Sequence, residues 1–170
     1  MGLWEQIRNA LRAVWADWRG PNVDEHSRLV IWLTQSWQAE HDLSMQIQQI
    51  VPLIPYEQFR RRLEIMARDD AQHASLLGES LGSPAATLRD VLQASAGSPN
   101  SLPRGPWHRL RQVVTVKREL YEGYRQQATI VDDPSLHSLL ERLRDDEAQH
   151  QEQLIEMLMQ LDAHVHETIT

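Results

Sequence analysis

The sequence predicts an all-α protein built on four long helices. Apolar residues recur at steps of three and four along four long segments, a helical rather than an alternating rhythm. The 7 glycines and 8 prolines of the 170 residues gather into clusters that separate those segments.

The first element is a short amphipathic helix over residues 1–20, closed by Gly20-Pro21-Asn22. Trp4, Ile7, Leu11, Val14 and Trp18 form its apolar stripe, with Glu5, Arg8, Arg12, Asp17 and Arg19 on the opposite face. The pattern reads as a helix docked on the rest of the chain or on a homodimer partner. Peripheral membrane contact through residues 3–18 is the disfavoured alternative, because two acids dilute three arginines there.

Four long segments follow, over about 24–51, 56–81, 107–130 and 135–163. The first carries the stripe Leu29, Leu33, Ser36, Glu40, Leu43, Ile47, Ile50 and ends at the turn Pro52 to Pro55. The second carries Phe59, Leu63, Met66, Asp70, His73, Leu77. A connection from Ser83-Pro84 to Pro106, with a minor helix at 86–95, leads to the third segment. Asp132-Asp133-Pro134 turns the chain into the fourth, with Leu136, Leu140, Leu143, Glu147, His150, Leu154, Met157 and Leu161 on its stripe. Two short turns and one long middle crossover describe a bundle of ferritin-type topology over 24–163, followed by a tail at 164–170.

Composition narrows the chemistry. There are no cysteines, which excludes disulfide scaffolds, thiolate zinc sites, iron–sulfur clusters and cysteine nucleophiles. With 17 Lys+Arg against 24 Asp+Glu, the formal charge of −7 argues against nucleic acid as a partner. No run of about 18 apolar residues spans a membrane. The opening residues lack a signal-peptide pattern, so the expectation is a soluble, cytoplasmic protein.

Polar residues interrupt the stripes where Leu or Ile belongs. Asp70-Ala71-Gln72-His73 and Glu147-Ala148-Gln149-His150 each place a carboxylate and an imidazole one turn apart on one helix face. Buried, such groups cost several kcal/mol each unless paired or bound to metal. Aligned on the histidines, Glu64/Glu141, Asp69/Asp146, Ala71/Ala148, Gln72/Gln149 and Leu77/Leu154 are identical pairs, which reads as duplication of a helical hairpin. Each hairpin's first helix adds a carboxylate, Glu40 and Glu119. At 1.5 Å per residue these stand about 18–22 Å from their turns, level with Asp70 and Glu147. Four carboxylates and two imidazoles suit two transition-metal ions better than a closed zinc site.

The set Glu40, Asp70-x-x-His73, Glu119, Glu147-x-x-His150 resembles the di-iron carboxylate site of the ferritin-like superfamily. Glu119-Leu120-Tyr121-Glu122 resembles the third helix of rubrerythrins, in which a second Glu is a switchable ligand. The resemblance implies two iron ions, with manganese or a mixed pair as alternatives. It makes Asp70 and Glu147 bridging ligands, Glu40 and Glu119 terminal ones, and His73 and His150 caps. Asp69 and Asp146 resemble the aspartates that orient the opposite hairpin's histidine. Asp70 departs from the family's Glu, and the rubredoxin module is missing. Glu122 and Tyr124 are the candidate catalytic residues, with a surface charge and a core aromatic as their ordinary readings. The implied activity is oxidation of Fe(II) by O2 or H2O2, as a ferroxidase or a rubrerythrin-like peroxidase fed by an external electron donor. Hydroxylation of an organic substrate, such as a lipid or quinone, is one alternative. A non-enzymatic helical module with a lost metal site is the other.

Overall fold

The computed structural model describes residues 25–82 and 105–167. They form four helices and no strand: α1 (Glu25–Ile50), α2 (Glu57–Ser80), α3 (Pro106–Ala128) and α4 (Pro134–Glu167). The all-α expectation therefore holds among the described residues. The N-terminal helix, the contact proposed for residues 3–18 and the minor helix at 86–95 lie outside them. One boundary differs: α4 runs to Glu167, into the segment read as a tail. No Gly or Pro interrupts that stretch, so nothing stops the helix.

The punctuation acts through identifiable bonds. Pro52 lies within a single 3-10 turn, Val51–Leu53, closed by Ile54 N–H donating to Val51 O at 3.1 Å. The Arg60 guanidinium reaches back to Ile54 O at 3.0 Å and so ties the start of α2 to that turn. α2 ends at Gly82, whose φ of +64° places it in the left-handed region that glycine enters at least cost. Its N–H donates to Glu79 O at 3.0 Å and satisfies one of the terminal carbonyls.

Between α3 and α4 the turn is fastened twice. The Asp133 carboxylate caps α4 by accepting the Leu136 N–H at 2.8 Å, with Pro134 at the first helical position. His137 Nδ1 donates to Ala128 O, one of the last carbonyls of α3, at 2.7 Å.

The contacts divide the described residues into two compact units. One comprises 25–46 with 67–82, and the other 47–66 with 105–167. In the first, Trp32, Leu33, Trp37 and Leu43 of α1 and Ala74 and Leu77 of α2 are buried. Gly78 lets the Trp37 ring come close: a Cβ there would lie 3.3 Å from Trp37 Nε1. The Ser44 hydroxyl donates to Ala67 O at 2.7 Å. In the second unit the buried set is Ile47, Ile50, Ile54, Phe59, Leu63 and Met66, with Leu110, Val113, Leu120 and Tyr124 of α3 and Leu140, Leu143, Leu154 and Met157 of α4.

The stripes read from sequence are the buried faces. Every α2 stripe residue from Phe59 to Leu77 is buried, and on α4 every one from Leu140 to Met157. Of the paired positions, Leu77 and Leu154 are both buried and Ala71, Ala148, Gln72 and Gln149 are all exposed, whereas Glu64 is exposed and Glu141 half-buried.

Leu63 and Leu154 are both fully buried. Truncating either to Ala is expected to lower the unfolding free energy by about 2–5 kcal/mol in urea denaturation. Ile65→Ala, on the exposed face of the same helix as Leu63, should stay within about 0.5 kcal/mol. Equal effects at Leu63 and Ile65 would mean that the stripe is not the core.

Candidate metal centre

In the first unit, α1 supplies Glu40 and α2 supplies Asp70 and His73, all essentially inaccessible to solvent. One donor atom of each lies within 4.8 Å of the others. His73 Nδ1 stands 3.5 Å from Glu40 Oε1, beyond ordinary hydrogen-bond length but within reach of a shared cation. Asp70 and His73 meet because they are three apart on one helix, and the aspartate's short arm does not keep it out. With the ring neutral, this trio carries two negative charges. Buried carboxylates at such separation repel each other strongly unless a cation lies among them. Ser36, one turn before Glu40 on the same face, is fully buried, and its hydroxyl has no hydrogen-bond partner among the described residues.

In the second unit the carboxylate-x-x-His motif has a different occupant. Lys117 of α3 is completely buried. Its Nζ donates to Glu147 Oε1 at 2.9 Å and Oε2 at 3.1 Å, and contacts His150 Nδ1 at 3.1 Å. An ammonium has three donors and no acceptor, and here three acceptors surround it. Nδ1 of His150 must therefore be the unprotonated ring nitrogen, which leaves the proton on Nε2. The Gln151 side chain donates to Lys117 O at 3.3 Å and holds α3 level with α4 at this height. Lys117 and Glu147 neutralise each other inside the fold.

Lys117 was not among the candidates read from sequence, although the signal was present. Leu110, Val113, Lys117, Leu120 and Tyr124 follow steps of 4 and 3, and all are buried. A lysine at a core position of such a stripe is as conspicuous as the carboxylates of the other helices.

Among the described residues, Glu40, Asp70 and His73 of the first unit are buried donors that could hold a metal ion. That set does not include Glu119, Glu122 or His150. Glu119 is half-buried with one carboxylate oxygen enclosed. Glu122 is half-exposed and pairs with Arg125 one turn on, Oε2 to Nη2 at 2.9 Å. Tyr124 is fully buried. Asp69 and Asp146 are half-buried, with Asp146 Oδ2 lying 3.8 Å from Arg142 Nε. His137 bridges the α3–α4 turn. No family model matches the chain, and no curated protein or solved structure does so either.

Breaking a buried ion pair from one side leaves a charge stranded, whereas removing both partners does not. With chelator present, Lys117→Met is expected to cost about 3–5 kcal/mol in urea unfolding. The double variant Lys117→Met/Glu147→Leu should recover most of that loss. A double variant no more stable than the single one would show that the pair is not the unit that matters.

Proposed function

We propose that the chain binds one divalent first-row metal ion through Glu40, Asp70 and His73, and that the ion serves redox chemistry with a small oxidant. The observation that carries this reading is the burial of three such donors that could hold an ion. The donor set fits the group. Two carboxylates and one imidazole, without thiolates, suit iron or manganese better than a soft or closed tetrahedral site. With the ring neutral, the named groups carry a formal charge of −2, which one divalent ion cancels.

When bound, iron or manganese would supply one-electron steps towards O2 or H2O2. The protein's share is placement. Glu40 and Asp70 would bring negative charge that favours the higher oxidation state, and His73 would offer a ring nitrogen. The enclosing apolar residues exclude bulk water, which strengthens each of these interactions.

The reading keeps the ferritin-like resemblance at the level of helix pattern and ligand types, with ferrous oxidation or peroxide reduction as the activity to assay. It takes one ion where the resemblance implies two. A second reading, a helical protein whose ion is purely structural, draws support from Lys117, which already neutralises one of the two motifs without any metal.

The test is metal content and ferrous oxidation on one preparation. After expression with added iron or manganese, one ion per chain is expected, falling to background in His73→Ala and Asp70→Asn variants that keep their helical circular dichroism. Anaerobic loading with Fe(II), followed by O2 or H2O2, should develop ferric absorbance in the parent and not in the variants. Wild-type protein with no more metal than the His73→Ala background would overturn the metal reading. A bound ion indifferent to both oxidants would leave the structural one.

A further inference from the structure

We propose that the Lys117 ammonium is the protein's own replacement for a second metal ion, filling the cation position formed by Glu147 and His150. Three donor atoms from two residues face one point: both oxygens of a carboxylate, at 2.9 and 3.1 Å, and an imidazole nitrogen, at 3.1 Å. The same geometry would serve a metal, since a carboxylate can bind bidentate beside a neutral imidazole. The occupant is instead a covalently attached cation, carried by a side chain with no solvent exposure.

Its charge and its placement both matter. An ammonium matches the carboxylate's charge and can donate to each of these three atoms. A divalent ion arriving there would have to displace a buried lysine, which has no water to retreat into. His150 Nδ1 is thereby committed to Lys117 and withheld from metal. Asp70-x-x-His73 and Glu147-x-x-His150 keep the same spacing, and in the second an ammonium lies within hydrogen-bond distance of both residues.

The limit of one ion per chain rests on the metal reading above. The assignment of Lys117 does not, because the bonds that support it lie entirely between α3 and α4. The consequence is a gain of binding: deleting the ammonium should create a metal site.

The experiment compares wild type with Lys117→Ala, each stripped with chelator and titrated with Co(II) as a probe, while visible absorbance counts ions. The variant is expected to bind one more ion per chain than wild type, and Lys117→Ala/His150→Ala should return to the wild-type count. The extra ion should also raise the variant's melting temperature, because it restores a cation beside Glu147. If wild type binds none and Lys117→Ala binds one that requires His150, the proposal stands while the metal reading fails. Equal counts in wild type and a folded Lys117→Ala overturn the proposal.

A second readout needs no variant. In wild type saturated with Zn(II), the His150 ring resonances, followed by nitrogen-15 NMR, should keep their metal-free positions. A shift at His150 that marks coordination would overturn the proposal even if Lys117→Ala did not fold.

Discussion

Charge cannot be taken into a helical core without an opposite charge to meet it, and that constraint organises the interior of this chain. Its helices carry carboxylates at positions where leucine would pack without difficulty. Isolated carboxylates there would be protonated or would open the fold. At Glu147 the answer is visible, an ammonium from the neighbouring helix bonded to both oxygens. At Glu40 and Asp70 the donor atoms gather with His73 within 4.8 Å, a group that could hold a metal ion.

The precision this requires comes from ordinary helix punctuation. Lys117 stands 16 residues before Asp133, and His150 stands 16 after Pro134. With equal rise per residue the two are level, and the lysine's long arm reaches back one turn to Glu147. The levels hold only if the turn between α3 and α4 has a fixed length. Asp133 capping α4 and His137 holding the last turn of α3 supply that fixity. A slip of one residue on α3 would rotate Lys117 by about 100° and carry it off the buried face.

Much of this was legible in the sequence. Spacing of three and four predicts the four long helices, and the stripes read on α1, α2 and α4 lie on their buried faces. A carboxylate or histidine on a stripe is legible because burial makes it costly, and Glu40, Asp70, His73, Glu147 and His150 were found that way. Glu119 was chosen by height above the turn and Glu122 by likeness to a known helix, not by stripe position. Glu122 accordingly turns up beside Arg125 on a half-exposed face. Lys117 is hard to read from sequence for a chemical reason: lysine is ordinarily a surface residue, and one in a core stripe resembles a boundary position whose head snorkels to water. Partnership across helices is the other illegible quantity, because the choice between a metal and an ammonium depends on which side chain fills the space.

The short α3–α4 turn also bears on the order in which the chain folds. Lys117 and Glu147 are separated by only 30 residues, and most of those lie in the two helices themselves. Closing so local a loop costs little conformational entropy, and contacts of this range form early. The interior ion pair can therefore assemble within one hairpin, from the chain's own material and before any exchange with the surroundings. A site that waits for a metal becomes complete only when the cell supplies one. A site that carries its own cation is complete at the moment its hairpin closes, and the chain thus has one buried charge centre whose formation is independent of metal supply.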